Sequence, residues 1–144
     1  MAEEIAVVRL ADEPVGTELF SATVKVERSS MVRYAGASGD FNPIHWNERF
    51  AKEVGLPDVL AHGMLTMGLA SSVLEEWLED PGRILDYGVR FTRQVPVPDP
   101  GSVEVTVAGK LGAFDAEAGT ARIDLTVSAD GVTVLGKAQA VVRT

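Results

Sequence analysis

An aspartate and a histidine five positions apart, Asp40 and His45, are the residues of this sequence best suited to acid/base chemistry. They stand in the segment Ser38-Gly-Asp-Phe-Asn-Pro-Ile-His45, which is dense in turn-forming residues and predicts an ordered loop. An imidazole exchanges protons readily near neutral pH, and a desolvated carboxylate can be tuned toward the same range. Taken alone, Asp40 after Gly39 is most simply a turn residue, and His45 is similarly ambiguous.

A second group of residues lies at the start of an apolar segment, in Leu60-Ala-His-Gly-Met-Leu-Thr-Met-Gly68. Gly63 stands where a helix should begin, so its backbone N–H has no partner within the helix and lies at the positive end of the helix dipole. Such an N–H can stabilise negative charge on a substrate. The preceding His62 has two explanations, an active-site base or a residue that orients the turn into the helix through hydrogen bonds, and the second is the one we expect. Ser71 lies further along the same segment, and a hydrogen bond from its hydroxyl to the carbonyl one turn earlier is one explanation for a serine there.

The elements around these residues read as a strand, a helical region, a long helix and then more strands. Phe20–Glu27 alternates apolar and polar residues, which is typical of a half-buried strand. Met64–Trp77 is apolar almost all round, so we expect protein to surround that helix. Alternating patterns and hairpin turns in the C-terminal half predict a sheet, with the strand patterns starting near Leu85, Val103, Arg122 and Val132. The predicted fold class is α+β, a curled antiparallel sheet around one buried helix.

Composition narrows the function classes. The 144 residues, of which 46% are hydrophobic, are enough for one domain, predicted to span 1–144. A net charge of −8 disfavours nucleic-acid binding. The two histidines lie 17 positions apart without any cysteine, so no metal site and no cofactor are expected. No apolar stretch is long enough to predict a membrane span. Met1–Leu10 lacks the features of an export signal, so a cytoplasmic location is expected.

Two blocks of the sequence, Tyr34–His45 and Leu60–Gly68, resemble the signature of the MaoC-like dehydratases, which include the (R)-specific enoyl-CoA hydratases. Within that family, the chain resembles the B subunit of the mycobacterial (3R)-hydroxyacyl-ACP dehydratase. The resemblance implies a hot-dog fold. It also implies a dehydratase or hydratase that interconverts (3R)-hydroxyacyl and trans-2-enoyl thioesters, carried by coenzyme A or by acyl carrier protein.

The same resemblance assigns roles to five residues. Asp40 and His45 match the catalytic pair of the family, and Asn42 matches the residue that orders the loop between them. Gly63 matches the donor to the thioester oxygen, and Ser71 matches a serine that faces the site. The two-subunit architecture of the family implies a homodimer, or a heterodimer with a related hot-dog chain.

Two other functions remain open at the level of sequence. A hot-dog thioesterase would hydrolyse the thioester, but such enzymes generally carry an acid on or beside the central helix, and no acid occurs between Asp58 and Glu75. A non-catalytic acyl-binding subunit of a dehydratase complex is the second alternative. The presence of both Asp40 and His45 disfavours it.

Overall fold

The computed structural model describes residues 9–144, so most of the predicted features of Met1–Leu10 lie outside the described residues. The helices are α1 (Arg28–Ser38), α2 (Glu48–Glu53) and α3 (Gly63–Leu78). The strands are β1 (Glu18–Val26), β2 (Ile84–Phe91), β3 (Val103–Asp115), β4 (Thr120–Ala129) and β5 (Val132–Arg143). Short 3₁₀ turns occupy Arg9–Ala11, Pro43–His45 and Pro81–Arg83.

The five strands form one antiparallel sheet in the order β1-β3-β4-β5-β2. A tight turn at Asp130-Gly131 joins β4 to β5, and both residues have the positive φ angles, 47° and 83°, that two-residue hairpins require. A looser turn joins β3 to β4, where the Asp115 carboxylate accepts from two backbone N–H groups. Both predicted hairpins are therefore confirmed, and β1 and β2 are the two edges of the sheet.

The core lies between one face of the sheet and α3. Alternate residues of β3, β4 and β5 are buried, as the period-two patterns predicted. They pack with the inner side of α3, in a cluster that includes Ala70, Val73, Leu74 and Leu78. The predicted α+β architecture is thus confirmed. Among the described residues, no helix is long and apolar enough to span a membrane.

The surroundings of α3 differ from the prediction. A stripe at every fourth position is exposed, namely Met64, Gly68, Ser72 and Glu76, because the sheet of a single chain covers only part of the helix. The expectation that protein surrounds the helix on all sides is therefore wrong for the chain taken by itself. The sequence pattern could not reveal this, because small residues such as glycine and serine are compatible with a buried or an exposed face.

Strand β2 also departs from simple alternation. The alternating pattern that starts at Leu85 predicts that Leu85, Tyr87, Val89 and Phe91 share the inward face. Leu85 and Phe91 are exposed, however, while Ile84, Tyr87 and Val89 are half-buried. Two irregularities in the pairing with β5, after Ile84 and after Gly88, shift which side chains face inward. Such bulges change the phase of a strand without leaving a clear signal in the sequence.

The segment before the site is held by caps at the ends of its helices. Helix α1 begins at Arg28, where the side chains of Glu27 and Ser30 form a capping box. The sequence offers Ser29 or Ser30 as the N-cap of this helix, but the N-cap is Glu27. It ends at Gly39, whose φ of 78° suits glycine. Asn47 before a helical pattern is a plausible N-cap, and in the structure its side chain caps α2 by accepting from the backbone N–H of Phe50.

Candidate active site

The loop between Gly39 and His45 is shaped by side chains that fold back onto its own backbone. The Asp40 Oδ1 atom accepts from the Asn42 N–H at 3.1 Å. The Asn42 Oδ1 atom accepts from the Ile44 N–H at 3.2 Å and so caps the 3₁₀ turn Pro43–His45. The Asn42 carbonyl also accepts from the His45 N–H at 3.0 Å. Asn42 thus orders the path from Asp40 to His45, as these short hydrogen bonds do in turns.

His45 is held in one tautomer by the backbone of a neighbouring segment. Its Nδ1 atom lies 2.7 Å from the Leu60 carbonyl oxygen. Because a carbonyl can only accept, Nδ1 carries the proton, and the other ring nitrogen, Nε2, is proton-free in the neutral ring. Leu60 is itself fixed, since its N–H donates to the Ile44 carbonyl at 2.9 Å. The side chain of His45 is only 11% exposed, so its ring is fixed with Nε2 available as a base.

The available nitrogen of His45 faces Asp40. The Nε2 atom lies 3.8 Å from the Asp40 Oδ2 atom, and the Asp40 side chain is 52% exposed. This distance is too long for a direct hydrogen bond, but a water oxygen about 2.8 Å from each atom can contact both. The pair can therefore hold one water molecule between a base and a carboxylate.

His62 is buried directly behind this pair. Its ring stacks on the ring of His45, with centroids 3.8 Å apart and planes inclined by 22°. The ring of Tyr34 makes an edge-to-face contact with it, with centroids 4.7 Å apart. Its Nε2–H donates to the Asp40 carbonyl at 3.1 Å. Burial lowers the pKa of His62 below its usual value, which favours the neutral ring. The side chain makes no capping hydrogen bond to α3, so the predicted role in the turn is replaced by a bond across to Asp40.

Gly63 is the first residue of α3, where the sequence placed the start of the helix. Its N–H therefore lies at the position that has no intrahelical acceptor. A cavity of about 290 Å³ lies beside it, lined by His45, Thr66, Phe91 and Arg93 among others. A Cβ atom added to Gly63 would lie 3.1 Å from the Phe91 ring, so a side chain here would crowd this wall of the cavity.

Ser71 lies apart from this group. Its Oγ atom donates to the Gly68 carbonyl at 2.9 Å, which is the local bond that the sequence left as one explanation. The eight positions from Gly63 to Ser71 correspond to about 12 Å along the helix, and Ser71 does not line the cavity beside His45. The structure therefore brings Asp40, Asn42, His45 and Gly63 to one place, and the role of Ser71 in the site stays a prediction.

Three potential metal ligands do meet, although spacing along the chain gave no sign of it. One ligand atom from each of Asp40, His45 and His62 lies within 4.8 Å of the others. The lone pairs of an imidazole lie in the plane of its ring, and the two rings are stacked at 22° with centroids 3.8 Å apart, so their lone pairs lie in separate, nearly parallel planes. They do not converge on one ion as zinc ligands must. The arrangement suits proton transfer better than metal binding.

Two contributors to the site were not identified from the sequence. The Leu60 carbonyl sets the tautomer of His45, and a backbone atom in this role leaves no signal in residue types. Thr66 is a buried polar residue that lines the cavity one turn after Gly63. Its position, three residues after Gly63 on the same helix face, was a signal that could have found it.

Comparison with known proteins gives a consistent result. The sequence profile of the MaoC like domain family matches residues 10–129. A curated relative, the 3-hydroxyacyl-thioester dehydratase X of Mycobacterium tuberculosis (strain ATCC 25618 / H37Rv), is 37% identical over 95 residues, which are 66% of this chain and 32% of that protein. The chain thus spans about a third of the length of this relative.

Two solved structures show the same fold. A MaoC-like dehydratase superposes with a TM-score of 0.89 at 40% identity, covering 93% of this chain and 41% of the other. An (R)-hydratase from A. caviae involved in PHA biosynthesis superposes with a TM-score of 0.79 at 25% identity, covering 91% of this chain and 96% of the other. The predicted hot-dog fold is confirmed.

Proposed function

The chain belongs to the MaoC-like domain family, and from that premise we propose that it is a hydro-lyase that interconverts (3R)-hydroxyacyl and trans-2-enoyl thioesters. One observation carries the proposal. The proton-free Nε2 of His45 and the carboxylate of Asp40 flank a gap of 3.8 Å, the width that one water molecule can bridge. His45 also lines a cavity together with Gly63, the first residue of α3. A base, a carboxylate, a place for water and an N–H donor are the parts that this reaction needs.

In the hydration direction, the bridging water adds to C3 of the enoyl chain. The His45 Nε2 atom takes one proton from the water as its oxygen bonds to C3, and Asp40 stabilises the imidazolium that forms. The proton then passes from the pair to C2, so the two hydrogens of the water end on the C3 hydroxyl and on C2. The Leu60 carbonyl keeps Nδ1 as the donor throughout, which leaves Nε2 as the atom that exchanges the proton. Dehydration is the reverse sequence.

Negative charge develops on the thioester oxygen while C3 is attacked. Gly63 lines the same cavity as His45, and its N–H lies at the positive end of α3, so we place the thioester oxygen against it. Removing a comparable donor in other enzymes raises the barrier by about 3–4 kcal/mol. Because a Cβ at this position would crowd Phe91, glycine leaves room for the thioester carbonyl at the helix end.

The experiment is an assay of the purified chain with trans-2-enoyl thioesters, offered in separate reactions on coenzyme A and on acyl carrier protein. We expect loss of the enoyl absorbance, and chiral analysis should give the (3R)-hydroxyacyl thioester. Release of free thiol without hydration would instead support a thioesterase. Binding of the thioester without turnover would support a non-catalytic acyl-binding subunit. The same assay identifies the carrier of the acyl chain.

We also propose a cytoplasmic location, with which the absence of cysteine from the sequence is compatible.

We also propose that the chain works as a two-subunit assembly, either a homodimer or a heterodimer with a related hot-dog chain. The edge strand β2 exposes two large apolar side chains, Leu85 and Phe91, and an unpaired edge of this kind favours pairing with another strand. The exposed stripe of α3 offers further surface for a neighbour. A second chain at this edge would continue the sheet and cover part of the acyl chain.

Light scattering tests the assembly. Wild-type protein should run as a dimer, and Leu85→Glu should shift it toward the monomer because the charge would be buried at the shared edge. The matched control is Val32→Glu, which places the same charge on an exposed apolar residue of α1, and it should leave the dimer intact. A fully active monomer would contradict the shared edge. Activity that appears only when a related hot-dog chain is co-expressed would identify the heterodimer.

A further inference from the structure

The imidazole of His62 is the buried polar group that the proposed reaction leaves unused. His62 is 1% exposed, and the Nδ1 atom of its ring has no hydrogen-bond partner among residues 9–144. A buried acceptor without a donor destabilises a folded protein, and a hydrocarbon ring of similar size would avoid that cost. A histidine at this position therefore needs an explanation other than packing.

The contacts of His62 join three parts of the site. The Nε2–H donates to the carbonyl of Asp40, and the ring covers one face of His45. The next residue along the chain is Gly63, the first residue of α3. A single rigid side chain thus connects the carboxylate loop, the base and the helix end that receives the thioester oxygen.

The two catalytic side chains differ in how much they need this connection. His45 has anchors of its own, at the Leu60 carbonyl and the Asn42 carbonyl. Asp40 is exposed and follows the left-handed Gly39, and within residues 9–144 its other hydrogen bonds go to Ser38 and Asn42, in its own loop. Among the described residues, the bond from His62 is the one that ties Asp40 to the helix carrying Gly63.

From this geometry we propose that His62 is a positioning residue, whose Nε2–H fixes Asp40 at the distance from His45 and Gly63 that the reaction requires. This inference rests on the proposed hydratase function and names a residue to which that function gives no role. The charged and titratable groups that face His62 are Asp40 from the loop, His45 from the 3₁₀ turn and Tyr34 from α1. Catalysis is sensitive to such placement, since an error of about 1 Å can lower the rate by about 100-fold.

Two substitutions separate positioning from packing. His62→Phe keeps an aromatic ring on His45 but removes both the donor to Asp40 and the unpaired Nδ1. We expect kcat to fall by about 10- to 100-fold with KM little changed, and the melting temperature to equal or exceed that of the wild type. His62→Gln carries an amide N–H near the position of Nε2, so we expect its kcat to recover to a value clearly above that of the Phe variant. Tyr34→Phe, which removes a polar atom from the neighbouring ring, is the matched control and should keep wild-type kcat.

Assaying Asp40→Asn in parallel distinguishes a failure of the positioning role of His62 from a failure of the proposed hydratase function. An inactive Asp40→Asn with a fully active His62→Phe would overturn the positioning role alone. A Gln variant no faster than the Phe variant would also overturn it, as would a Phe variant that fails to fold, because a packing role would then explain His62. Normal turnover by Asp40→Asn would contradict the proposed function itself.

Discussion

Replacing Gly63 by proline should remove the donor to the thioester oxygen while leaving the helix in place. Proline is favoured at the first position of a helix, where its missing N–H has no intrahelical partner. The preceding His62 has φ of −58° and ψ of 132°, which is the extended conformation that a residue before proline prefers. The substitution is therefore compatible with the backbone as it stands, and the variant should fold.

Alanine at the same position is the matched control. Both Ala and Pro add a Cβ that would lie 3.1 Å from the ring of Phe91, but only proline deletes the N–H. Because Phe91 is exposed and its ring can rotate, the crowding should lower activity only a few-fold in both variants. The further loss in Gly63→Pro should match the removal of an oxyanion donor, about 3–4 kcal/mol, or roughly 150- to 800-fold in kcat.

The assay compares initial rates of enoyl-thioester hydration for wild type, Gly63→Ala and Gly63→Pro, with melting temperatures measured on the same samples. The ratio between the two variants measures the replacement of the N–H by the proline ring, since the effect of the Cβ is common to both. If folded Gly63→Pro hydrates the substrate within three-fold or so of Gly63→Ala, far below the expected gap, the thioester oxygen does not bind this N–H.

Three further predictions concern other parts of the structure. The Tyr87 hydroxyl donates to the Met67 carbonyl at 2.8 Å, so Tyr87→Phe should lower the free energy of unfolding by about 1 kcal/mol. Burial raises the pKa of Tyr87 to about 12, and the same substitution should remove the phenol transition near that pH from a spectroscopic titration. Because the stacked rings do not converge on an ion, dialysis against a chelator should leave the hydration rate unchanged, and loss of activity restored by a divalent metal would contradict that geometry. Burial lowers the pKa of His62, so as pH falls below about 6.5 the unfolded chain binds a proton that the folded chain does not. The free energy of unfolding should therefore fall more steeply with acid in wild type than in His62→Phe, as chemical denaturation at several pH values would measure.

Much of the local structure follows from the sequence because it rests on short-range chemistry. The Asp130-Gly131 hairpin, the Asn47 cap and the start of α3 at Gly63 each depend on residues within one turn of the chain. The motif around Asp40 and His45 likewise identified the loop that the structure shows.

The features that the sequence did not show depend on contacts between distant segments. The tautomer of His45 is set by the carbonyl of Leu60, and His62 crosses to Asp40, 22 positions away. Bulges in β2 exposed Leu85, and the open side of α3 depends on which surface a neighbour covers. None of these contacts alters the residue pattern of the segment in which it occurs.

The central claim is that Asp40 and His45 act together on one water molecule, and the direct measurement is the hydration rate of a trans-2-enoyl thioester by Asp40→Asn and His45→Ala beside wild type. His45 lines the cavity and Asp40 is half exposed, so both variants should keep the wild-type fold by circular dichroism and oligomeric state. We expect each to lose at least about 100-fold in kcat, and the double variant to lose little more than the slower single variant, because the two residues serve one step. A folded variant of either residue that hydrates the substrate at near the wild-type rate would contradict the account.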